Sequence, residues 1–467
     1  MKKSKIIGFA AALVVLIAML FIPEGAGLST AGIRTLGVTI ALLLLLITEV
    51  FPPGVSCLFI VGLMPLVGVQ SNFAAAISGF DHPIMLFTLA SFGIAAAFTA
   101  VPLSKRILVN LLKKFGKNVK LSILAIMICA ALVSSMISNI PTTAIFMAIG
   151  LSFLELYNDM PEAKKKTGRA IMIAVPLGGM IGGMMTPAGS SINLLALGYL
   201  ESLTNGEFTV TFVQWMAVGI PLSIVMIPLA WFLVCKVYKP VELPHEQIQD
   251  FVNNIDIPKK MEKKEKWVLF VILVMLILMI LSSWVKTLEV YTIALLGCAI
   301  FIAPKIGVLS WDKFCSEVTW VVIIITGTVL SIGDAINANG VSTWLVETFY
   351  PQGLQLGECG IIALCAICTF VMLAIIPVAP AVVAVLAGPM VTIAMNTGYS
   401  PAFLVLTIGL CAANCYLFPL DNVPLLTYGT GYYKMTDMCK STLFLQIAMV
   451  ILSAIWIPIA AGLVGLI

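Results

Sequence analysis

Two segments of this sequence combine helix-breaking residues with polar side chains inside otherwise apolar stretches. The first, Gly179–Asn193, holds paired glycines, a Thr186-Pro187 step and small hydroxyls, and the second, Asn414–Tyr433, holds two prolines and Asp421. Proline removes a backbone donor and blocks the preceding helical turn, which leaves backbone groups free. Free amides attract anions, and free carbonyls and hydroxyls coordinate a hard cation such as sodium. The alternative interpretation is a pair of proline kinks that only shape packing.

Three carboxylates lie within or at the ends of the apolar stretches, namely Glu49, Asp334 and Asp421. Ionisable groups at membrane depth are costly and usually functional. Glu49 and Asp334 lie near span ends, where an interfacial structural role is an equally good interpretation. Asp421 lies inside the second polar segment and is predicted to be a cation or proton partner. The alternative is a structural ion pair with Lys434.

The composition requires a membrane environment for these segments. Hydrophobic residues make up 61% of the 467 residues and charged residues only 10%, whereas soluble domains carry about 25% charged residues. The apolar runs reach or approach the roughly 20 residues of a membrane-spanning helix and lack the alternation of barrel strands. We therefore expect an all-α polytopic membrane protein. The net charge of +4 reflects loop lysines at a membrane surface and predicts no nucleic-acid partner.

Two of the apolar stretches have polar or proline-containing midpoints. Residues 121–157 are flanked by basic loops on both sides and have Ser138–Thr143 at their centre, which predicts a re-entrant hairpin on the cytoplasmic side. Residues 360–396 have no basic residue at either end and have Pro377–Pro380 at their centre, which predicts a second hairpin on the external side. For each, two full spans joined by a tight turn are the alternative.

Basic residues near span ends stay on the cytoplasmic side, and this rule gives a consistent topology. It predicts a cytoplasmic N-terminus, about eleven spans besides the two hairpins, and an external C-terminus in the cytoplasmic membrane. The first half then starts outside and the second inside, which is typical of carriers with inverted repeats and a midplane site. The expected units are an uncleaved N-terminal span (1–30), a first repeat (31–238), a charged cytoplasmic linker (239–266) and a second repeat (267–467).

The chain resembles the divalent anion–sodium symporter family over nearly its whole length. The segments that carry the resemblance are Thr48–Pro52 with the stretch to Gly68, His82–Arg106, Phe212–Pro221, Gly307–Leu345 and Gly429–Thr442. In that family two Ser-Asn-Thr hairpin tips and their partner loops bind sodium and substrate. The resemblance therefore implies an elevator mechanism, with the hairpins and broken spans moving against a homodimeric scaffold.

The resemblance also implies functions for individual residues at the two tips and loops. It implies a sodium site formed by Ser134, Ser138, Asn139, Gly189 and Asn193. Together with the polar segments, it predicts a set of substrate-binding residues: Ser138, Asn139, Thr142, Thr186, Pro187, Ser190, Asn193, Asn422, Pro424 and Thr427. A sodium ion is accordingly the expected cofactor.

The second half departs from the family pattern, so the chain is an atypical member. Ile140 stands where the first tip has threonine in the family, and the second tip, Pro377–Ala381, contains no hydroxyl or amide side chain. Its partner loop, Pro419–Pro424, lacks the threonine-proline pattern. A second sodium ion therefore has no evident side-chain ligands, and we expect Asp421 partly to replace the lost polar tip.

The expected function is secondary active transport of small anions, coupled to sodium, with a C4-dicarboxylate as first choice and sulfate or a tricarboxylate next. An anion exchanger and a proton-coupled carrier that uses Asp421 stay open. An intramembrane enzyme would need a nucleophile–base pair, a carboxylate dyad or metal ligands in the bilayer. The spans contain no HExxH or GxSxG motif and no clustered aspartate pair. A passive channel fits paired broken helices in inverted halves less well, so we expect a carrier and not an enzyme.

Overall fold

The computed structural model describes residues 3–25, 27–48, 50–255, 257–285, 287–349, 356–376 and 378–466. Within these ranges every regular element is helical, and the one β-bridge joins Gly25 to Leu28. The all-α prediction is therefore confirmed. Large apolar side chains such as Phe21, Leu66 and Leu463 are exposed on the outside of the helices, as a lipid-facing surface requires.

The described residues of the first half form eleven α-helices and three short 3₁₀ turns. The turns are Ser78–Phe80, Glu155–Tyr157 and Pro187–Gly189. The helices are α1 (Lys3–Phe21), α2 (Thr30–Thr48), α3 (Pro53–Leu66), α4 (Phe73–Ala76), α5 (Ile84–Thr99), α6 (Leu103–Phe115), α7 (Val119–Ser134), α8 (Asn139–Leu154), α9 (Pro161–Gly183), α10 (Ser191–Leu203) and α11 (Phe212–Tyr238).

The linker and the second half contain a further eleven helices among the residues that the structure describes. They are α12 (His245–Asn254), α13 (Lys263–Leu281), α14 (Val290–Ile302), α15 (Trp311–Glu317), α16 (Trp320–Ala338), α17 (Val341–Phe349), α18 (Glu358–Ile375), α19 (Ala379–Thr397), α20 (Pro401–Ala412), α21 (Asn422–Tyr428) and α22 (Met435–Val464). Both predicted hairpins correspond to helix pairs, α7 with α8 and α18 with α19. Pro377, at the second tip, and Glu49 lie outside the described residues.

The number of membrane spans is not fixed by helix length alone. Seven helical segments of the described chain are long and apolar enough to cross a membrane, or eight if α5 and α6, which meet at a 60° bend, form one span. Several others, including α3, α14 and α20, are apolar but shorter. The count of eleven spans with two re-entrant hairpins therefore stays a prediction.

The helix contacts of the two halves match one another. In the first half α7 and α8 both pack on α9, and in the second half α18 and α19 both pack on α20. The second piece of each broken span crosses over to the other half, because α10 packs on α19 and α20 while α21 packs on α8 and α9. Likewise α14 packs on α5 and α3 packs on α16. These matched contacts support our proposal of two inverted repeats.

A buried ion pair ties the predicted linker to the first half. Glu265, fully buried, accepts from Arg106 Nε at 2.5 Å and from its Nη2 at 2.9 Å, and Arg106 Nη2 also donates to the carbonyl of Pro258. The sequence suggested a charged loop up to residue 266, but α13 already begins at Lys263. The difference arises because Arg106, far away in sequence, gives Glu265 a partner inside the protein.

Breaking this ion pair is expected to destabilise the fold. A buried charge that loses its partner costs about 3–5 kcal/mol, so Arg106→Met should lower the melting temperature of the purified protein by several degrees. The matched control is Glu317→Gln, which removes the exposed ion pair with Lys313, because exposed pairs contribute about 0–1 kcal/mol. Equal melting temperatures for the two variants would show that the buried pair does not stabilise the fold.

Candidate functional site

The first broken span is interrupted for seven residues between α9 and α10. The Thr186 hydroxyl accepts from the Gly189 amide at 3.0 Å, and the Ser190 hydroxyl accepts from the Ile192 amide at 3.3 Å. Small hydroxyl residues suit these positions because they satisfy amides that have no helical partner. The thirteen-residue helix α10 therefore begins with a neutral cap inside the protein.

Asn193 holds the two ends of this break together. Its Nδ2 donates to the carbonyl of Gly183 at 2.8 Å and to the carbonyl of Thr186 at 2.9 Å. The side chain is fully buried, and its Oδ1 has no hydrogen-bond partner among the described residues. Buried polar atoms are nearly always partnered. This carbonyl oxygen at a helix break is therefore available as a ligand for a cation or a water molecule.

The first hairpin tip docks against this break. Thr186 Oγ1 donates to the carbonyl of Ser135 at 2.6 Å. Ser138 adopts a φ of 153°, a backbone region that side-chain-bearing residues rarely occupy and that is found mainly at functional sites. Gly183 packs directly under Asn139, since a Cβ at Gly183 would lie 1.9 Å from Asn139 Oδ1. Only glycine leaves room for that amide.

The Asn139 amide is surrounded by oxygen atoms. One end of the amide lies 2.8 Å from Ser134 Oγ and 3.2 Å from the carbonyl oxygens of Gly179 and Gly189. Amide oxygen and nitrogen can be exchanged to suit their neighbours, and with Nδ2 in that position the amide donates to all three oxygens. The cluster gathers carbonyl, hydroxyl and amide oxygens, which are the ligand types that hard cations accept.

Thr143 extends this oxygen cluster and was missing from the predicted site. It is fully buried with an unpartnered Oγ1 that faces Gly179. Thr142, which the sequence favoured, donates its hydroxyl to the Ser138 carbonyl at 2.7 Å instead. Thr143 could have been predicted from the sequence, because it follows Asn139 by four residues and residues four apart share one face of a helix.

The second broken span is interrupted between α20 and α21. Side chains of α22 donate hydrogen bonds to two of the carbonyl groups in this interruption. Thr442 donates to the carbonyl of Tyr416 at 2.5 Å, and the Cys439 thiol donates to the carbonyl of Leu417 at 2.9 Å. Asn414 is the first residue of the polar segment and was not predicted to have a function of its own. Its Oδ1 is buried and has no hydrogen-bond partner among the described residues. Its Nδ2 lies 3.4 Å from Met184 Sδ, so the two breaks are in direct contact.

The residues predicted in the second loop have separate local functions. Asp421 caps α21 by accepting from the Val423 amide at 3.4 Å. Thr427 is buried and donates to the Pro424 carbonyl, which also accepts from the Tyr433 hydroxyl at 3.0 Å. Asn422 is exposed. None of these residues has a hydrogen bond to the Asn139 cluster among the contacts of the described chain.

A cavity lies next to the first break, between it and helices α5 and α13. Its three hydroxyls, on Ser91, Ser135 and Thr186, donate to backbone carbonyls at 2.6–2.8 Å, so none is free to donate to a ligand. The wall consists of Phe87, Ser91, Ile94, Ser135, Met136, Ile137, Thr186, Ala188, Phe212, Ile272, Met275, Leu276 and Met279. The second-loop residues do not line it.

The comparisons with known proteins agree with this architecture. Residues 3–463 match the family described as "Sodium:sulfate symporter transmembrane region". The chain belongs to this family. It is therefore a multi-pass membrane transporter and not an enzyme, and the resemblance inferred from the sequence is confirmed.

Among its relatives are two proteins named "Sodium-dependent dicarboxylate transporter SdcS". The one from Staphylococcus saprophyticus is 25% identical over 457 residues, which cover 92% of this chain and 85% of the relative. The one from Staphylococcus aureus strain USA300 is 25% identical over 462 residues, which cover 92% and 87%. The crystal structure of the Alcanivorax borkumensis YdaH transporter is similar with a TM-score of 0.58 at 13% identity, over 99% of this chain and 98% of that one. This likeness concerns the fold alone.

The structure thus brings together part of the residues expected from the sequence. Ser134, Asn139, Gly189 and Asn193 lie within one cluster of hydrogen bonds and close contacts around Gly183. Thr186, Pro187 and Ser190 form the adjoining loop. Asp421 is the last residue of the second break, and Asn422, Pro424 and Thr427 lie in α21. How these residues act on a ligand stays a prediction.

A side chain in the space under Asn139 should prevent the surrounding residues from binding sodium. In Gly183→Ala the new Cβ would collide with Asn139 Oδ1, so we expect sodium to raise the melting temperature of the wild type but not that of the variant. The control is Gly62→Ala on α3, where a Cβ would meet nothing within 4 Å. If Gly183→Ala kept the full sodium-dependent rise, the space under Asn139 would not matter for ion binding.

Proposed function

We propose that the protein couples an inward sodium gradient to the transport of a small anion across the cytoplasmic membrane. The observation that carries the proposal is the first break, where the buried Oδ1 of Asn193 has no hydrogen-bond partner among the described residues and the Asn139 amide lies 3.2 Å from the carbonyl oxygens of Gly179 and Gly189. Carbonyl, amide and hydroxyl oxygens are the ligands that hard cations prefer. The family membership and the relatives named for sodium-dependent transport support the same conclusion.

In this proposal the sodium ion lies between the first hairpin tip and its partner loop. Asn139 Oδ1, the Gly189 carbonyl and Ser134 Oγ supply ligands. Asn193 Oδ1, buried and unpartnered, and Ser138 at the tip complete the set implied by the family. Binding of the ion then joins α7–α8 to the α9–α10 break, which makes the tip rigid only when sodium is present.

The anion is proposed to bind beside this ion, at the start of α10. Helix N-termini favour negative charge, and the adjacent ion would add to that attraction. Thr186, Pro187 and Ser190 form this part of the loop. A C4-dicarboxylate such as succinate is the first substrate to assay, because relatives carry that name, and sulfate and tricarboxylates follow.

For the conformational cycle we propose an elevator movement. Helices α7–α10 and α18–α21 form a bundle through their crossed contacts and would move together. The remaining helices would form a scaffold that dimerises with a second copy. The proposed orientation has the N-terminus in the cytoplasm and the C-terminus outside, in a plasma membrane.

Proton coupling is a second candidate, and Asp421 is the observation that favours it. No ion pair of the described residues includes this carboxylate, so a proton or cation is a chemically reasonable partner. The alternative of a structural pair with Lys434 has no support among those ion pairs. Exchange of one anion for another, without net cation movement, is the remaining alternative.

Uptake of labelled succinate into proteoliposomes tests the proposal. An inward sodium gradient should drive accumulation that choline does not, and Asn139→Ala should reduce the sodium-driven rate at least about tenfold because it removes a central ligand. The control is Asn253→Ala, an exposed asparagine on α12, which should leave the rate unchanged. Accumulation in choline under an imposed pH gradient, lost in Asp421→Asn, would support proton coupling. Equal uptake in sodium and choline without a pH gradient would contradict sodium coupling.

A further inference from the structure

A histidine and two acids lie where helix α10 of the proposed moving bundle meets helix α16 of the scaffold. Ser78 Oγ, in the turn before α5, donates to Asp334 Oδ2 on α16 at 2.7 Å, and the Gly79 amide donates to Ser331 Oγ at 3.0 Å. His82 follows Ser78 by four residues. With the proposed cytoplasmic N-terminus, α1, α2 and α3 bring the chain to the external side, so this group of residues lies there.

Helix α10 packs directly on the imidazole ring of His82. A Cβ added at Gly198 would lie 2.8 Å from His82 Cε1 and 3.1 Å from its Nε2. The next residue, Tyr199, donates its hydroxyl to the Val329 carbonyl of α16 at 2.9 Å, and a Cβ at Gly333 would lie 2.2 Å from that hydroxyl. The two glycines therefore allow α10 to lie against the start of α5 and against α16 in this conformation.

The imidazole is neutral in this conformation. His82 Nδ1 accepts a hydrogen bond from the Ile84 amide at 3.2 Å, and an imidazolium, which carries protons on both nitrogens, could not accept it. Burial lowers the pKa of His82, although the carboxylates of Glu201 on α10 and Asp334 on α16 act in the opposite direction. Protonation of the ring therefore opposes its packing under α10.

The other ionisable groups that the neighbouring elements contribute are acids and tyrosines. Asp81 is exposed and precedes the histidine in the chain, and α14, which packs on α5, contributes Glu289 and Tyr291 at its start. In the proposed elevator movement Glu201 travels with α10, whereas Asp334 stays with α16. When α10 moves away, the imidazole loses its cover and keeps the Asp334 carboxylate beside it, so its affinity for a proton increases.

We propose that His82 is a proton-binding site whose occupation releases α10 from α16 and the start of α5, so that external protons control the conformational equilibrium of the carrier. The inference rests on the proposed function, because it requires α10 to move past the scaffold. The neutral ring stabilises the packed conformation, and the imidazolium stabilises the conformation in which α10 has moved. A fall in pH shifts such an equilibrium toward the conformation that binds the proton more tightly. Lower external pH therefore favours the displaced conformation.

Histidine NMR signals report this site directly, because His82 and His245 are the two histidines of the sequence. Imidazole signals of the purified full chain are followed between about pH 5 and 8, where histidine changes charge, and His245→Gln assigns them. The wild-type His82 signal should titrate below the ordinary pKa of about 6.5. In Gly198→Ala the new Cβ would collide with the ring, so α10 should be displaced and the midpoint should rise. Gly62→Ala, where a Cβ would meet nothing within 4 Å, should keep the wild-type midpoint.

Sodium-driven succinate uptake into proteoliposomes shows whether the proton controls transport. With the internal pH held constant, the wild-type rate should change at least about twofold over the same range of external pH, and the variant His82→Gln should follow a different, flatter profile. His245→Gln, on the exposed surface of α12, should keep the wild-type profile. Protonation of succinate itself is common to all three proteins and cancels in the comparison.

The outcomes separate this inference from the proposed function. A His82→Gln profile that coincides with the wild type, or a His82 midpoint that does not rise in Gly198→Ala, overturns the pH control while leaving sodium-coupled transport intact. If the wild type and both histidine variants show no sodium-driven uptake at any pH, the proposed function fails and the pH control fails with it.

Discussion

The structure depends on one constraint, that peptide groups freed from a helix inside a membrane must find partners within the protein. Both broken spans obey it in the same way, with donors from the following helix. Trp215 on α11 donates to the carbonyl of Met184 at 2.9 Å, and Thr442 on α22 donates to that of Tyr416. Each break is therefore stabilised by specific hydrogen bonds to its freed carbonyl groups. Only a few buried oxygens near the breaks have no hydrogen-bond partner among the described residues.

Both breaks have buried unpartnered oxygens, on Thr143 and Asn193 at the first and on Asn414 and Tyr416 at the second, but the side chains of the two hairpin tips differ. The first break gathers Asn139, Thr143 and Asn193 around two glycines, and its hairpin tip carries hydroxyl and amide groups. The second tip contributes apolar residues at 378–381, and its partner loop adds a carboxylate. The matched helix contacts support a common architecture, while the side chains have diverged.

The sequence predicted the elements whose causes are local. Proline and glycine positions located both breaks, and apolar runs with polar or proline-containing midpoints located both helix pairs, because these residues act on their own backbone. Pairings between distant residues were not predictable. The Arg106–Glu265 ion pair joins α6 to a segment that composition alone suggested was a loop, and the contact of Asn414 with Met184 depends on how two broken spans cross. Thr143, whose hydroxyl faces Gly179, was not singled out from the sequence, and the function of its neighbour Thr142 stays a prediction.

The measurement that tests the central claim most directly is a comparison of the density at the first break in experimental structures determined in sodium and in choline. The account predicts density for an ion between Asn139, Ser134 Oγ and the Gly189 carbonyl in sodium, and none in choline. A structure in sodium with no ion at the first break would contradict it.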